Sequence, residues 1–316
     1  MQSPKPLVVI LGTGGTIAGT AASATDTTGY RAGALGAQAL VEAVPALGSH
    51  RLETEAVAAI DSKDMDVATW QRLAQRVSHH LARSEVAGVV ITHGTDTIEE
   101  TAYFLHRVLA PTRPVVLTAA MRPASALSAD GPANLFDAVG VVECANARGV
   151  SVVFGGAVWH PVGLRKIHTL RTSAFEGGDG GPIARLEGGV VRQFRDWPEG
   201  APLGLARVST APGDWPRVDI VFNHVGADGR LVDAAVASGA RGLVVAGTGH
   251  GTVARPVEEA LQRARDAGIA VRRASRCAFG PVLPHSEADH EAAGDLSPAQ
   301  ARVELQLALL GAAAAV

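Results

Sequence analysis

A glycine-rich turn that presents hydroxyl groups lies close to the N-terminus. Residues 12–19 read Gly-Thr-Gly-Gly-Thr-Ile-Ala-Gly after a short apolar run, so Thr16 follows a predicted strand. Glycines there permit a tight turn and let backbone N–H groups approach a ligand. The dinucleotide pattern GxGxxG fails because Ile17 occupies the third glycine position, and no Gly-Lys-Ser/Thr completes a phosphate loop. The turn fits either a nucleophilic hydroxyl or a structural role.

A second polar turn, residues 93–100, reads His-Gly-Thr-Asp-Thr-Ile-Glu-Glu. The spacing of Thr97 and Glu100 predicts a capping box that begins a helix. Thr95 and Asp96 have no such assignment, and they lie where helix N–H groups favour developing negative charge. Asp96 is either an acidic residue of the kind commonly found at a helix N-terminus or a carboxylate that binds a substrate ammonium.

A cation follows in the segment 162–168, where Lys166 lies beside Arg165. A lysine in a partly dehydrated cleft can act as a base toward a hydroxyl. Surface lysines are commoner, so Lys166 by itself fits either location.

The elements that must position these residues follow an α/β pattern. Short apolar runs rich in Val and Ile alternate with helical patterns, which indicates a parallel sheet with crossover helices. The predicted strands are residues 7–11, 86–92, 114–118, 150–154, 218–222, 242–247 and 270–273, and the later helices are 231–238, 257–267 and 298–310. Prolines at 198, 202, 212 and 216 indicate a linker. We therefore predict a catalytic domain at 1–191, a linker at 192–216 and a smaller α/β domain at 217–316.

Composition favours a small-molecule substrate. The chain has 316 residues and a formal net charge of -3, which offers no electrostatic footprint for nucleic acid or an anionic membrane. Cys144 and Cys277 form no CxxC pair, and the adjacent His79 and His80 lack metal-ligand spacing, so neither a metal nor another cofactor is expected. The first apolar run is too short for a signal segment, which predicts a cytoplasmic protein, or a periplasmic one if a leader has been removed.

Together these motifs resemble the bacterial-type L-asparaginase and glutaminase-asparaginase family. The resemblance is carried by segments spread over nearly the whole chain, namely residues 13–19, 91–104, 120–123, 128–132, 275–276 and 298–303. It implies a larger N-terminal flavodoxin-like domain, a smaller C-terminal domain, and a homodimer or homotetramer whose active sites are completed by the neighbouring subunit.

The resemblance also implies roles for individual residues. Thr16 corresponds to the primary nucleophile, and Tyr30, in a lid at residues 23–33, to its activating partner. Thr95 corresponds to a second essential threonine linked to Lys166. Ser62 is expected to bind the substrate α-carboxylate, Asp96 the α-ammonium, and Ala120 the amide. Either Tyr30 or Lys166 can be the base that activates Thr16.

One residue and one loop depart from the family pattern. Lys63 stands where members often carry glutamine, which introduces a cation beside the substrate's charged end. Residues 249–252, Gly-His-Gly-Thr, replace a loop in which periplasmic members carry asparagines that reach the neighbour's active site, so Thr252 and His250 are candidates for that contact. Glu287 is the candidate for an acidic residue contributed by the neighbouring subunit.

The predicted activity is hydrolysis of L-asparagine to L-aspartate and ammonia through an acyl-enzyme, with minor activity on L-glutamine. A non-catalytic amino-acid-binding protein is the main alternative, because Ser62 and Asp96 would serve binding alone. A nucleotide-binding protein is disfavoured by the failed glycine motifs. A subunit that supplies ammonia to a transfer-RNA amidotransferase is disfavoured because this chain has no room for the additional domain expected there.

Overall fold

A computed structural model describes residues 5–284 and 290–313, and the chain divides into two compact units, Met1–Leu205 and Ala206–Val316. The strands of the first unit are β1 (Leu7–Gly14), β2 (Thr20–Ala21), β3 (Tyr30–Arg31), β4 (Arg51–Ile60), β5 (Val86–Thr92), β6 (Val115–Thr118), β7 (Val150–Phe154), β8 (Ala157–Trp159), β9 (Leu164–Lys166), β10 (Phe175–Gly177), β11 (Ala184–Glu187) and β12 (Val190–Gln193). Its helices are α1 (Ala37–Glu42), α2 (Val67–Leu81), α3 (Ile98–Leu109) and α4 (Gly131–Glu143).

The first unit is built on an eight-stranded sheet with the order β12-β11-β8-β7-β6-β5-β1-β4. Five neighbouring strands of this sheet, in the spatial order β4-β1-β5-β6-β7, pair in parallel. Numbered along the chain within this parallel part, their order is 2-1-3-4-5, which is the flavodoxin-like order. The predicted fold class is confirmed, and the order places the ends of β4, β1 and β5 side by side.

Both faces of the four central parallel strands, β1, β5, β6 and β7, are buried. Val8, Ile10, Val90 and Val116 pack with side chains of α1 and α4 in one core cluster. Because side chains alternate along a strand, the residues between them face the opposite side, where α2 packs on β5. The strands are therefore continuous apolar runs, which is why the sequence reveals them clearly.

Among the five parallel strands of this sheet, β4 is the one that the sequence did not predict. Only Val57 among its residues is buried, because β4 lies at the edge of the sheet. Its carboxylates instead pair with α2 and the residues after it: Glu55 binds Arg76 at 2.6 Å and His80 at 2.7 Å, and Glu53 binds Arg83 at 2.9 Å. A strand held through ion pairs lacks the apolar run on which the strand predictions depended.

The second unit contains a four-stranded parallel sheet, β13-β14-β15-β16. Its elements are β13 (Val218–Phe222), α5 (Arg230–Ala237), β14 (Gly242–Gly247), α6 (Arg255–Asp266), β15 (Ala270–Ser275), β16 (Glu291–Ala292) and α7 (Pro298–Ala313). Residues of α5 and α6 form one core cluster with the sheet, and Ala301 and Leu305 of α7 form another. This unit is the predicted smaller α/β domain.

The segment 192–216 differs from a freely exposed linker. The division between the units falls after Leu205, and Trp197 is buried in the core of the first unit. Trp215 is also buried, so large apolar side chains fix both ends of a segment whose prolines suggested exposure. Within residues 5–284 and 290–313, none of the helices has the length and apolar character needed to span a bilayer.

Candidate active site

Three neighbouring strand ends fix the glycine-rich turn. The amide of Gly15 donates to the carbonyl of Ile60 at the end of β4 at 2.8 Å. The hydroxyl of Thr13 donates to the carbonyl of Thr92 at the end of β5 at 2.9 Å. The turn that carries Thr16 is therefore bonded to both neighbours of β1, at the edge where parallel sheets bind ligands.

The turns after β1 and β5 meet through two glycines. Gly15 has φ +79°, and a Cβ at this position would lie 2.4 Å from the Cα of Gly94. Glycine is thus required both by the backbone conformation and by the close approach. Because Thr16 and Thr95 each directly follow one of these glycines, the contact brings together two threonines that are distant in sequence.

Thr16 is paired with Tyr30. The Thr16 Oγ1 and the Tyr30 hydroxyl are 2.6 Å apart, and Thr16 is almost fully buried. Tyr30 lies on β3, which pairs with β2 to form a short antiparallel hairpin. The tyrosine is thus a close hydrogen-bond partner of the predicted nucleophile.

The hairpin is fixed from outside by the segment after β6. The Ala21 amide donates to the Ser125 hydroxyl at 2.8 Å, and the Leu127 amide donates to the Ala24 carbonyl at 2.9 Å. Asp130 shapes that segment by accepting hydrogen bonds from the amides of residues 121 and 122 at 3.0 and 2.9 Å. The motif at residues 128–132 was noted in the sequence without a role, and this support of the hairpin accounts for it.

Thr95 forms a second pair, with Lys166. The lysine Nζ donates to Thr95 Oγ1 at 2.8 Å and to Asp96 Oδ1 at 2.6 Å. Thr95 is buried, whereas the Asp96 side chain is 53% exposed. The carboxylate can therefore neutralise Lys166 and also accept a substrate ammonium from the solvent side.

Ser62 joins the same turn. Its hydroxyl oxygen accepts the Asp96 amide at 3.3 Å, which leaves the hydroxyl proton for donation to a carboxylate. Its carbonyl accepts the hydroxyl of Thr97 at 2.8 Å. The predicted capping box is wrong in this respect: Thr97 is the N-cap residue of α3, but its side chain makes no capping bond because it is bonded to Ser62.

A directional chain of hydrogen bonds holds the turn that precedes Thr95. The Gly94 carbonyl can only accept, so His93 Nδ1 carries the proton that bonds it at 2.8 Å. Burial lowers the pKa of His93 to about 4, so the ring is neutral and its Nε2 accepts from Thr101 at 3.0 Å. Trp70 Nε1 donates in turn to the Thr101 hydroxyl at 2.9 Å. His93 thus has a structural role in this turn.

This burial predicts that His93 weakens the fold in acid. Its folded pKa lies below the unfolded value of 6.5, so its stabilising contribution is complete above pH 6.5 and is lost as the pH falls toward 4. At pH 5 the loss is about 2 kcal/mol, at about 1.4 kcal/mol for each pKa unit. His93→Gln keeps a donor and an acceptor but does not titrate.

We therefore expect the melting temperature of His93→Gln to fall less than that of the wild type between pH 7 and pH 5. Differential scanning calorimetry of both proteins measures the difference, in which the contributions of other titrating groups cancel. Equal decreases would show that the folded protein tolerates a protonated His93.

Comparisons with known proteins agree with this arrangement. Residues 7–199 match the family model described as "Asparaginase, N-terminal", and residues 217–313 match the "Glutaminase/Asparaginase C-terminal domain". The chain belongs to the asparaginase family.

Full-length relatives and a solved structure of this family resemble the chain over most of their length. L-asparaginase 2 of Bacillus subtilis is 36% identical, with 96% of this chain and 82% of the relative covered. The glutaminase-asparaginase of Pseudomonas fluorescens is 35% identical, with coverage of 96% and 86%. The crystal structure of a probable cytoplasmic L-asparaginase from Campylobacter jejuni superposes with a TM-score of 0.91 at 38% identity, over 96% of this chain and 95% of that one.

The remaining predicted residues of this asparaginase-family chain have other surroundings. Ala120 is buried beside the turn that carries Thr16, since a Cβ on Gly131 would contact both Ala120 and Ile17. Lys63 is exposed and binds Asp61 at 2.7 Å and Asp64 at 3.2 Å, so neighbours on its own turn neutralise it. This local pairing weakens the case for a direct substrate contact.

The loop at residues 249–252, which is expected to reach a neighbouring subunit, makes hydrogen bonds to residues of its own chain. Thr252 donates to the Thr248 carbonyl at 3.0 Å, and His250 Nε2 accepts the Leu283 amide at 2.8 Å. Thr252 is exposed, whereas Glu287 lies outside the described residues. Among those described residues, no three His, Cys, Asp or Glu side chains cluster in a way that suits a metal ion.

Proposed function

We propose that this chain hydrolyses the side-chain amide of L-asparagine to L-aspartate and ammonia, with L-glutamine as a slower substrate. The observation that carries the proposal is the pair of buried hydroxyls on either side of the Gly15–Gly94 contact, each bonded to its own proton-transfer partner. Relatives named L-asparaginase and glutaminase-asparaginase support the same chemistry.

The two pairs suggest a division of roles. Thr16 Oγ1 attacks the side-chain carbonyl carbon while its proton passes to the Tyr30 oxygen, which is 2.6 Å away and accepts a proton in its phenolate form. The tetrahedral intermediate then expels ammonia as the Tyr30 hydroxyl returns this proton to the leaving nitrogen, and an ester to Thr16 remains. Water attacks this ester, and the oxygen of Thr16 recovers a proton as aspartate leaves. The geometry favours Tyr30 over Lys166 as the first base because Lys166 is bonded to Thr95.

Asp96 and Ser62 supply the recognition of an α-amino acid. The exposed part of the Asp96 carboxylate suits an ammonium, and the Ser62 hydroxyl proton suits a carboxylate. These groups lie on adjoining turns, so they can hold both charged ends of one small substrate while its amide lies toward Thr16. A binding protein would need this pair alone, whereas the two hydroxyl–base pairs favour a catalyst.

The substrate is tested by measuring ammonia release from L-asparagine, L-glutamine and two truncated amides. Succinamic acid lacks the α-ammonium, and 3-aminopropanamide lacks the α-carboxylate. We expect asparagine to have the highest kcat/KM and both truncated amides to lose about a hundredfold or more, because remote binding energy positions the reacting amide. Binding of asparagine without ammonia release would instead favour the amino-acid-binding alternative.

Tyr30→Phe is expected to lower kcat about a hundredfold with little change in KM, because only proton transfer from Thr16 is removed. The chain has two tyrosines, so Tyr103→Phe in α3 provides the same chemical change away from the hydroxyl pair. Steady-state kinetics on asparagine measure both variants. A kcat of Tyr30→Phe close to that of Tyr103→Phe would exclude Tyr30 as the base.

We further propose that the protein works as a cytoplasmic homo-oligomer in which Thr252 faces a neighbouring active site. Glu287, outside the described residues, stays the candidate for an acidic residue from the partner subunit. The similarity to a probable cytoplasmic enzyme supports the compartment, and the exposure of Thr252 supports its availability to a partner. Sedimentation equilibrium measures the oligomeric state. Thr252→Val with unchanged kcat/KM in an intact oligomer would remove Thr252 from the site.

A further inference from the structure

The lysine that reaches Thr95 lies on a small element outside the main sheet. Strand β9 pairs only with β10 in a two-stranded antiparallel ribbon, with Lys166 opposite Phe175. An isolated ribbon of this kind is marginally stable in water. Additional contacts must therefore hold the Lys166 backbone if its Nζ is to stay within hydrogen-bond distance of Thr95.

Glu99, in the first turn of α3, makes such a contact. Its Oε2 accepts the backbone amide of Lys166 at 2.7 Å. The next amide along the chain, that of Ile167 just after β9, donates to the carbonyl of Ala174 just before β10. Because successive amides of an antiparallel strand point in opposite directions, the Lys166 amide faces away from β10 and toward α3.

Lys166 is consequently attached to the same short stretch of chain at two places. Its side chain binds Thr95 and Asp96, and its backbone binds Glu99, which lies one helical turn further along. One contact fixes the ammonium end and the other fixes the start of the side chain. Loss of the Glu99 contact would leave the position of Nζ to the flexible four-carbon stem.

The charge of Glu99 responds to this environment. The pKa of Glu99 is raised to about 7, mainly by burial and to a smaller extent by the nearby Glu100 carboxylate. The bond from the Lys166 amide and the positive charges of Arg165 and Lys166 oppose this rise. The carboxyl group is therefore partly protonated near neutral pH, and the ionised form accepts the stronger hydrogen bond.

We propose that Glu99 is a positioning residue for the Thr95–Lys166 pair, whose carboxylate holds the Lys166 backbone so that Nζ reaches both Thr95 and Asp96. The consequence for turnover rests on the proposed amidohydrolase function. The contact itself can be tested without any activity.

The experiment compares Glu99→Ala and Glu99→Gln with Glu143→Gln. Glu143 is a partly buried glutamate at the end of α4, and its carboxylate is bonded to His50. The first readout is site-resolved lysine acetylation followed by mass spectrometry. The chain has three lysines, so Lys5 and Lys63 serve as internal references. The second readout is kcat and KM for asparagine between about pH 6 and pH 9, with the melting temperature as a check of folding.

We expect Glu99→Ala to increase the acetylation rate of Lys166 relative to the reference lysines and to lower kcat about a hundredfold, with KM nearly unchanged. Glu99→Gln keeps an acceptor but cannot ionise. Its kcat at pH 8 should stay within a few fold of the wild type, and its ratio of kcat/KM at pH 6 to that at pH 8 should exceed the wild-type ratio. Glu143→Gln should leave the pH profile unchanged.

Unchanged Lys166 acetylation and unchanged kcat in a folded Glu99→Ala would overturn the proposal. If Glu99→Ala does not fold, an unaltered pH profile in Glu99→Gln overturns it. If the wild type releases no ammonia, the proposed function fails, and Lys166 acetylation in Glu99→Ala alone decides whether Glu99 positions the lysine.

Discussion

Thr16→Val should lower kcat for ammonia release from L-asparagine by about a thousandfold or more, which corresponds to about 4 kcal/mol of lost transition-state stabilisation. Valine replaces the hydroxyl by a methyl group of similar size in a nearly closed environment, so the pocket keeps its shape while the proposed nucleophile is lost. Coupled-enzyme measurement of ammonia gives kcat. The substrate-binding groups Asp96 and Ser62 remain, so asparagine should still bind in calorimetry.

Two further variants separate nucleophile loss from general damage. Thr16→Ser restores a hydroxyl and should recover a large part of kcat. Thr54→Val removes an exposed hydroxyl of β4 that donates to Gln38 at 3.0 Å and should leave kcat unchanged. Turnover by Thr16→Val within tenfold of the wild type would mean that another group attacks the amide.

Lys166→Met should lower kcat by about a hundredfold to ten-thousandfold, the usual contribution of general acid–base catalysis. The change deprives Thr95 of its donor at 2.8 Å and Asp96 of its partner at 2.6 Å. KM should rise less than kcat falls, since the Asp96 carboxylate still attracts the substrate ammonium. Steady-state kinetics on asparagine measure both parameters.

Lys166→Arg distinguishes proton transfer from simple charge. Arginine can neutralise Asp96 but does not release its proton under ordinary conditions. If Lys166 transfers protons, the kcat of Lys166→Arg should lie within about tenfold of the kcat of Lys166→Met, because both variants lack the base. Near-wild-type activity of Lys166→Arg would assign only an electrostatic role. Lys5→Met, at an exposed lysine that bonds Ser49, is the matched control.

Most buried strands could be predicted from the sequence because both of their faces lie under helices. Residues 86–92, 150–154, 218–222 and 242–247 are strands with the predicted bounds. Strand β1 is longer than predicted and extends to Gly14, because its glycines continue the pairing with β4 beyond the apolar run. Edge strand β4 and the β9–β10 ribbon were missed because polar contacts hold them.

The candidate site was predicted in part. Glycine turns after strands, together with the family resemblance, indicated Thr16, Thr95, Asp96 and Lys166, and the structure brings the last three into direct contact. Lys63 was assigned to the substrate from its position beside Ser62. The sequence does contain its neighbours Asp61 and Asp64, and their acidity could have suggested the local ion pairs that the structure contains.

The sequence by itself determined the types of chemical group and their place at strand ends. Hydroxyls, a carboxylate and a lysine on glycine turns, together with alternating apolar runs, were sufficient for the fold class and the family. Only the tertiary structure decided which groups are partners. The pairs Thr16–Tyr30, Thr95–Lys166 and Glu99–Lys166 join residues 14, 71 and 67 positions apart. Tyr30 and Lys166 lie on small antiparallel elements outside the parallel sheet, so these contacts form only when those elements pack against the turns at the strand ends. Sequence periodicity reports burial on each element and not contacts between elements.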